Sequence, residues 1–301
     1  MRSFSYNEKI LLIILIVSTL ITVYITIYLS STTTDNNNIF VINTTTENSH
    51  EGLHEGYKYS LPDNVTFQAW NNLAKEIYDS PTYDSYILIC EKSIIPYAAS
   101  ALSFIIENLS KPIILTEPNN LKNVYKLAKK TKIPEVSIYS NGKLLRGVRS
   151  IIDHRNNIIS QYYPPLTLSN CLKSPSETMS LKFINPKISV GIINIHPGIT
   201  SKDFKNTDNM KGLILDCANS DFPKSKSFIN VISSTIKKGT IIVVTNYNKI
   251  YPTIIKIGII LGYDMTINTA YNKLCFLLSN ISEKKFISQI MNHNLRGEIT
   301  I

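Results

Sequence analysis

Residues 86–115 do the most to limit what this chain can fold into. A short apolar run at 86–89 leads into a polar turn, Cys90-Glu91-Lys92-Ser93. A segment from about 94 to 109 follows, in which Ala99, Leu102, Ser103, Ile106 and Leu109 recur at helical spacing, and then a second apolar run at 113–115. Pro96 suits the first helical turn, where a missing N–H costs nothing, and Lys111-Pro112 stops the helix. Strands joined in this way form a right-handed parallel crossover, so the segment commits the chain to an α/β fold. The carboxyl ends of parallel strands open onto the turns that hold ligands, which makes residues 90–93 the first place to look for chemistry.

The alternation continues on both sides. A strand is expected at 39–42, and a helix at 67–78 carries Phe67, Trp70, Leu73, Ala74 and Ile77 on one face. A helix at 121–130 precedes a strand at 136–139, and Asn141-Gly142 marks a turn leading to Leu144. From about 153 to 187 the pattern breaks into Asn, Ser and Pro, with Pro164-Pro165 inside it. Apolar runs at 188–195, 212–215 and 240–244 then look like central parallel strands, with helices at 228–237, 266–278 and 283–294. Two α/β domains follow, at 39–165 and 188–301, joined by a linker at 166–187.

Residues 10–29 carry no charge, and twenty helical residues span about 30 Å, the thickness of a bilayer core. Arg2 and Lys9 lie before the run and the first charge after it is Asp35, so the positive-inside rule keeps the tail at 1–9 cytoplasmic. The expected arrangement is a single-pass type II signal anchor at 10–30, a spacer at 31–38 and an extracellular or lumenal main domain. A cleaved signal peptide fits less well, because the run exceeds the usual apolar core of about 7 to 15 residues and no A-x-A-like site follows. Sequons at Asn43, Asn64, Asn108 and Asn280 accord with a glycoprotein, although an Asn-rich chain makes them by chance. The four cysteines, Cys90, Cys171, Cys217 and Cys275, have no C-x-x-C spacing, which argues against zinc. They are either paired in one or two disulfides or buried as thiols.

The net charge of +9 comes from Lys and Arg scattered among Asn and Ile, without a basic helix or aromatic platform, so nucleic acid is not an expected partner. There is no P-loop or dinucleotide glycine pattern, and His50, His54, His154 and His293 lack metal-ligand spacing. No cofactor or metal is expected. His196 opens a tight His-Pro-Gly turn at a strand end. Cys90, or Ser93 beside Lys92, has the composition of an activated nucleophile. The plainer reading has Ser93 capping the helix and Glu91 and Lys92 in solvent.

The stretch Tyr97-Ala98-Ala99-Ser100-Ala101-Leu102-Ser103-Phe104, followed by Lys111-Pro112-Ile113-Ile114-Leu115-Thr116, resembles the type I (cytoplasmic-type) L-asparaginases of bacteria and their animal relatives. Their forms are Y-T-A-S-A-L-S-F and K-P-V-I-x-T. Other blocks agree in order: Lys143-Leu144-Leu145-Arg146-Gly147 with Arg149, Pro197-Gly198-Ile199, Asp264-Met265-Thr266, and Asn294-Leu295-Arg296-Gly297-Glu298 before Thr300. The resemblance implies an asparaginase-like two-domain fold, with a larger N-terminal and a smaller C-terminal α/β domain, here preceded by a transmembrane helix. It also implies a homodimer or homotetramer, and hydrolysis of a side-chain amide through a threonine nucleophile.

Carried over position by position, the same resemblance implies a damaged site. The T-G-G-T-I motif falls on Thr44-Thr45-Thr46-Glu47, so Thr44 matches the nucleophile while both glycines are lost. The substrate-gripping D-S-S aligns near Leu61-Pro62-Asp63. H-G-T-D-T falls on Cys90-Glu91-Lys92-Ser93-Ile94, which puts Lys92 at the proton-relaying threonine and Ser93 at the substrate-binding aspartate. Ile152 stands at the family lysine, and Glu117-Pro118-Asn119 replaces G-S-Q. The expectation is a membrane-anchored, catalytically degenerate homologue that binds an unknown protein partner, or L-asparagine or a related amino acid. A residual asparaginase working through Thr44 is the alternative.

Overall fold

The computed structural model describes residues 18–19, 21–22, 37–45, 57–62, 65–161, 163–205, 207, 209–247 and 252–300. Contacts divide the chain into two units, Met1–Asn37 and Asn38–Ile301. Apart from Ser18, Thr19, Ile21 and Thr22, the apolar run at 10–29 lies outside the described residues. Among the described residues no helix is long and apolar enough to cross a membrane.

The larger unit begins with strand β1 (Ile39–Asn43), the short β2 (Tyr57–Lys58), helix α1 (Phe67–Tyr78) and β3 (Ser85–Ile89). Helix α2 (Ile95–Ile105), β4 (Ile106–Glu107), β5 (Ile113–Thr116), helix α3 (Leu121–Ala128), β6 (Val136–Ser140) and β7 (Lys143–Arg146) follow. The long strands form a six-stranded sheet in the order β2-β1-β3-β5-β6-β7, parallel except for the β6–β7 hairpin. The hairpin turns through Asn141 at φ 49° and Gly142 at φ 74°, the pair of left-handed residues that a two-residue turn needs to match strand twist. Helix α2 is buried on nearly every side, as a helix with apolar residues all round must be.

Short strands β8 (Ser150–Ile152) and β9 (Ile158–Ser160) pair antiparallel, and β10 (Ser180–Leu181) pairs with β4. Strands β11 (Val190–Asn194), β12 (Gly212–Asp216), β13 (Ile241–Thr245) and β14 (Ile260–Leu261) then build a four-stranded parallel sheet in that order. Helix α4 (Lys226–Lys237) joins β12 to β13, and the five-residue α5 (Pro252–Lys256) precedes β14. Helices α6 (Ile267–Asn280) and α7 (Lys284–Met291) close the chain, with α6 packed on α2 between the two sheets. Gly147 packs closely against α2 and β6, where a β-carbon would meet the Val136 carbonyl oxygen at 2.8 Å and the Ala99 methyl at 3.1 Å.

Three sequence expectations need correction. The helix expected to run to residue 109 ends at Ile105, because the backbone of Ile106 and Glu107 pairs with Leu181 and Ser180 and Asn108 turns through φ 55°. The apolar run at 188–195 is not a central strand: β11 is the sheet edge, and Ile192 is 44% exposed. Ser93 does not cap the helix. The chain enters through a 3₁₀ turn at Lys92–Ile94, so Ile94 occupies the cap position and no side chain caps α2.

Candidate active site

Sheet register gathers the candidate groups. Asn43 pairs with Ile89, and Ile89 pairs with Thr116. The next residues, Thr44, Cys90 and Glu117, therefore emerge side by side at the carboxyl edge of three adjacent parallel strands. Thr45, Glu91, Lys92, Glu117, Pro118, Asn119 and Asn156 line a cavity of about 390 Å³ there. Asp63 lies outside the described residues.

Thr44 is buried at the base of this edge with 7% of its surface exposed. Its Oγ1 donates to the Ile89 carbonyl at 2.8 Å, and its N–H reaches the same oxygen at 2.9 Å. The Oδ1 of Asn43 accepts from both the N–H and the hydroxyl of Thr45, each at 2.9 Å. Asn43 is itself buried, which leaves no room for a glycan on that sequon in the folded chain.

Lys92 is not free in solvent. Its Nζ lies 3.1 Å from Glu117 Oε1, and both residues line the cavity, so the ion pair sits in its wall. A partly exposed pair of this kind adds about 1 kcal/mol of stability at most, but it neutralises the ammonium where the cleft would offer it. Ser93 faces elsewhere: with Ile152 it lines a second, larger cavity of about 840 Å³ toward the four-stranded sheet. The structure thus brings Thr44 and Lys92 to one edge and separates Ser93 and Ile152 from them.

Cys90 has no exposed surface, and burial pushes its thiol up to about 12, with contact to Thr44 opposing this only in part. A thiol so held carries almost no thiolate at neutral pH and is a poor nucleophile. All four cysteines are free, with Cys90, Cys217 and Cys275 buried and Cys171 half-buried, so the disulfide reading gives way to free thiols, and the buried-thiol reading fits three of the four. His196 is exposed, in a turn closed by the Ile199 N–H to its carbonyl. Among the described residues no group of three or more His, Cys, Asp or Glu could hold a metal ion.

Sequence reasoning missed two arrangements. The Lys92–Glu117 pair depends on β3 and β5 being sheet neighbours. Arg149, fully buried, meets Asp264 Oδ2 at 3.0 Å and also the hydroxyl of Thr300. Partial burial works against the Asp264 carboxylate, but hydrogen bonds from Thr300 and the Arg149 guanidinium outweigh it and hold it below its usual range. The family blocks around these three residues were the available signal.

Comparison with known proteins follows the same lines. Residues 60–158 match the family model described as Asparaginase, N-terminal. The chain is 29% identical over 290 residues to L-asparaginase 1 of Escherichia coli strain K12, covering 82% of this chain and 84% of that protein. It is 27% identical over 281 residues to an L-asparaginase of Dirofilaria immitis, covering 79% of this chain and 47% of that one. L-asparaginase I from Vibrio cholerae superposes with a TM-score of 0.79 at 24% identity, covering 88% of this chain and 99% of the other.

Proposed function

We propose that this chain, which is similar to the asparaginase family, is a catalytically degenerate member of it, built as α/β domains at 39–165 and 188–301, whose role is binding. One observation carries the reading. The hydroxyl of Thr44, at the family's nucleophile position, donates its proton to the Ile89 carbonyl, and the cavity beside it is walled by a Lys92–Glu117 ion pair. Attack by a hydroxyl needs a base within about 2.6–3.2 Å to take that proton. A main-chain carbonyl is no base at neutral pH, and Lys92, at the same strand edge, is paired with a carboxylate. Loss of one catalytic partner typically costs several kcal/mol of transition-state stabilisation.

A working asparaginase is the alternative, favoured by the threonine retained at position 44 and by relatives named L-asparaginase. Ammonia release from L-asparagine, L-glutamine and L-aspartate by the full chain separates the two. Degeneracy expects no release above a Thr44→Ala control. Turnover that disappears in Thr44→Ala overturns it and establishes the second reading.

The same proposal places the protein as a type II membrane protein anchored by residues 10–30, on the strength of the uncharged run and the flanking Arg2 and Lys9. Extraction of expressing cells with alkaline carbonate expects the protein in the membrane pellet. Recovery in the supernatant excludes the anchor.

A further inference from the structure

Helices α1 and α2 pack on one face of the six-stranded sheet, and α3 and the segment 164–172 cover the other. Leu121, Val124 and Ala128 of α3 share an apolar cluster with Leu166 of that segment, over β1, β3 and β5. Two hydrogen bonds fix the segment to the sheet: the Leu166 N–H donates to the Leu144 carbonyl at 2.6 Å, and the Leu172 N–H to Glu135 Oε1 at 2.5 Å.

The solvent side of this layer is basic. Lys122 and Lys126 stand one turn apart on α3, Lys130 and Lys132 follow it, Lys173 ends the segment, and all five are exposed. Neither 118–134 nor 164–175 contains an Asp or Glu. Among the described residues none of the five lysines is in an ion pair. Lysines dispersed along the sequence are thus gathered by the fold into a single-sign field, which attracts an anionic partner. Two copies of such a face repel each other, so a two-fold contact between copies of this chain through it is disfavoured.

Leu168 distinguishes one anionic partner from another. It is 69% exposed, at the tip of a turn in which the Thr167 N–H donates to Asn170 Oδ1 at 2.8 Å and Asn170 Nδ2 to the Pro165 carbonyl at 3.0 Å. The Asn170 carbonyl in turn accepts from Arg146 Nη2 at 2.7 Å. A single exposed leucine is ordinary by itself. This one is held outward by a fixed turn beside five lysines, and an apolar tip ringed by cations suits the headgroup boundary of a bilayer. A nucleic acid or a sulfated polysaccharide offers the same charge but no apolar phase for the leucine to enter.

We propose that this face docks on an anionic lipid surface, with Lys122, Lys126, Lys130, Lys132 and Lys173 against the headgroups and Leu168 dipping below them. The inference rests neither on the anchor at 10–30 nor on the state of the Thr44 cleft.

Amine labelling of the full chain tests it, with vesicles of phosphatidylcholine alone or with phosphatidylserine added, a membrane-impermeant acylating reagent, and each lysine read by mass spectrometry. Phosphatidylserine should slow labelling of the five lysines on the order of tenfold. Lys237 and Lys285, exposed on α4 and α7, should label at unchanged rates. Salt at about 1 M, where screening acts within about 3 Å, should remove the protection. Leu168→Ser alters no charge and should weaken it severalfold, and Lys122→Gln with Lys126→Gln should weaken it at the three remaining lysines. Equal labelling with the two lipid mixtures overturns the proposal. Protection by a heparin oligosaccharide as strong as that by phosphatidylserine, and unchanged by Leu168→Ser, also overturns it and assigns the face to a soluble polyanion. Vesicle protection that appears only after Glu47, Glu51 and Glu55, which lie outside the described residues, are changed to Gln overturns it in favour of the chain's own acidic segment.

Discussion

Lys273 and Glu298 are both fully buried, and Lys273 Nζ lies 2.6 Å from Glu298 Oε1. The ammonium also donates to the carbonyl oxygens of Met291, at 3.0 Å, and His293. The carboxylate accepts from the N–H groups of Leu295, at 3.0 Å, and Arg296, at 2.6 Å, around a turn that Gly297 makes at φ 82°. Burial pushes the Lys273 ammonium down and the Glu298 carboxylate restores only part of the shift, so the pair survives because both partners are present. Removing one leaves the other charged and unpaired in the interior. Lys273→Met is therefore expected to cost about 3–5 kcal/mol of stability. Adding Glu298→Gln, which keeps an acceptor for Leu295 and Arg296, should recover much of that. Urea unfolding midpoints of the single and double variants check this, and equal losses in the two would show that the buried charge is not the cause.

Elements whose signal is local were legible, and those defined by their neighbours were not. Helix α1 runs from Phe67 to Tyr78, as the spacing of its apolar face predicts, and the Asn141-Gly142 turn has the geometry its residues favour. Ile106 and Leu109 continued the helical spacing of α2 past its end, because both are buried after the chain leaves the helix and periodicity records burial rather than hydrogen bonding. The apolar run of β11 gave no sign of being an edge, since edge position depends on which strand is absent from its other side. The site shows the same division. Thr44, Lys92 and Ser93 were marked by resemblance to a motif, but that Lys92 would pair with Glu117 while Ser93 turned toward another cavity depends on strand order and on the 3₁₀ turn. The larger cavity was the least legible, because its wall is assembled from helix, strand and loop residues far apart in sequence.

Across the whole molecule, acids kept neutral by burial set an alkaline limit on the fold. Burial pushes the thiols of Cys90, Cys217 and Cys275 from 9.0 up to about 12, and the phenols of Tyr86 and Tyr271 from 10.0 up to about 12. In the unfolded chain these thiols ionise near their ordinary values, whereas in the folded chain they hold their protons. Above pH 9 the folded state therefore binds more protons than the unfolded state, and stability falls as pH rises. The contribution is fully present below about pH 9 and is lost as pH climbs toward 12. Each thiol supplies a slope of about 1.4 kcal/mol per pH unit, so the three together give about 4 kcal/mol per unit, before the phenols join. Against a typical total of about 5–15 kcal/mol, unfolding is expected within about one to three units above pH 9. Thermal melts should hold a constant Tm from pH 7 to about 8.5 and then fall steeply, and Cys275→Ala should shallow the fall by roughly a third of the thiol slope. A Tm unchanged to pH 10.5 would show that the three thiols are not held neutral by the fold.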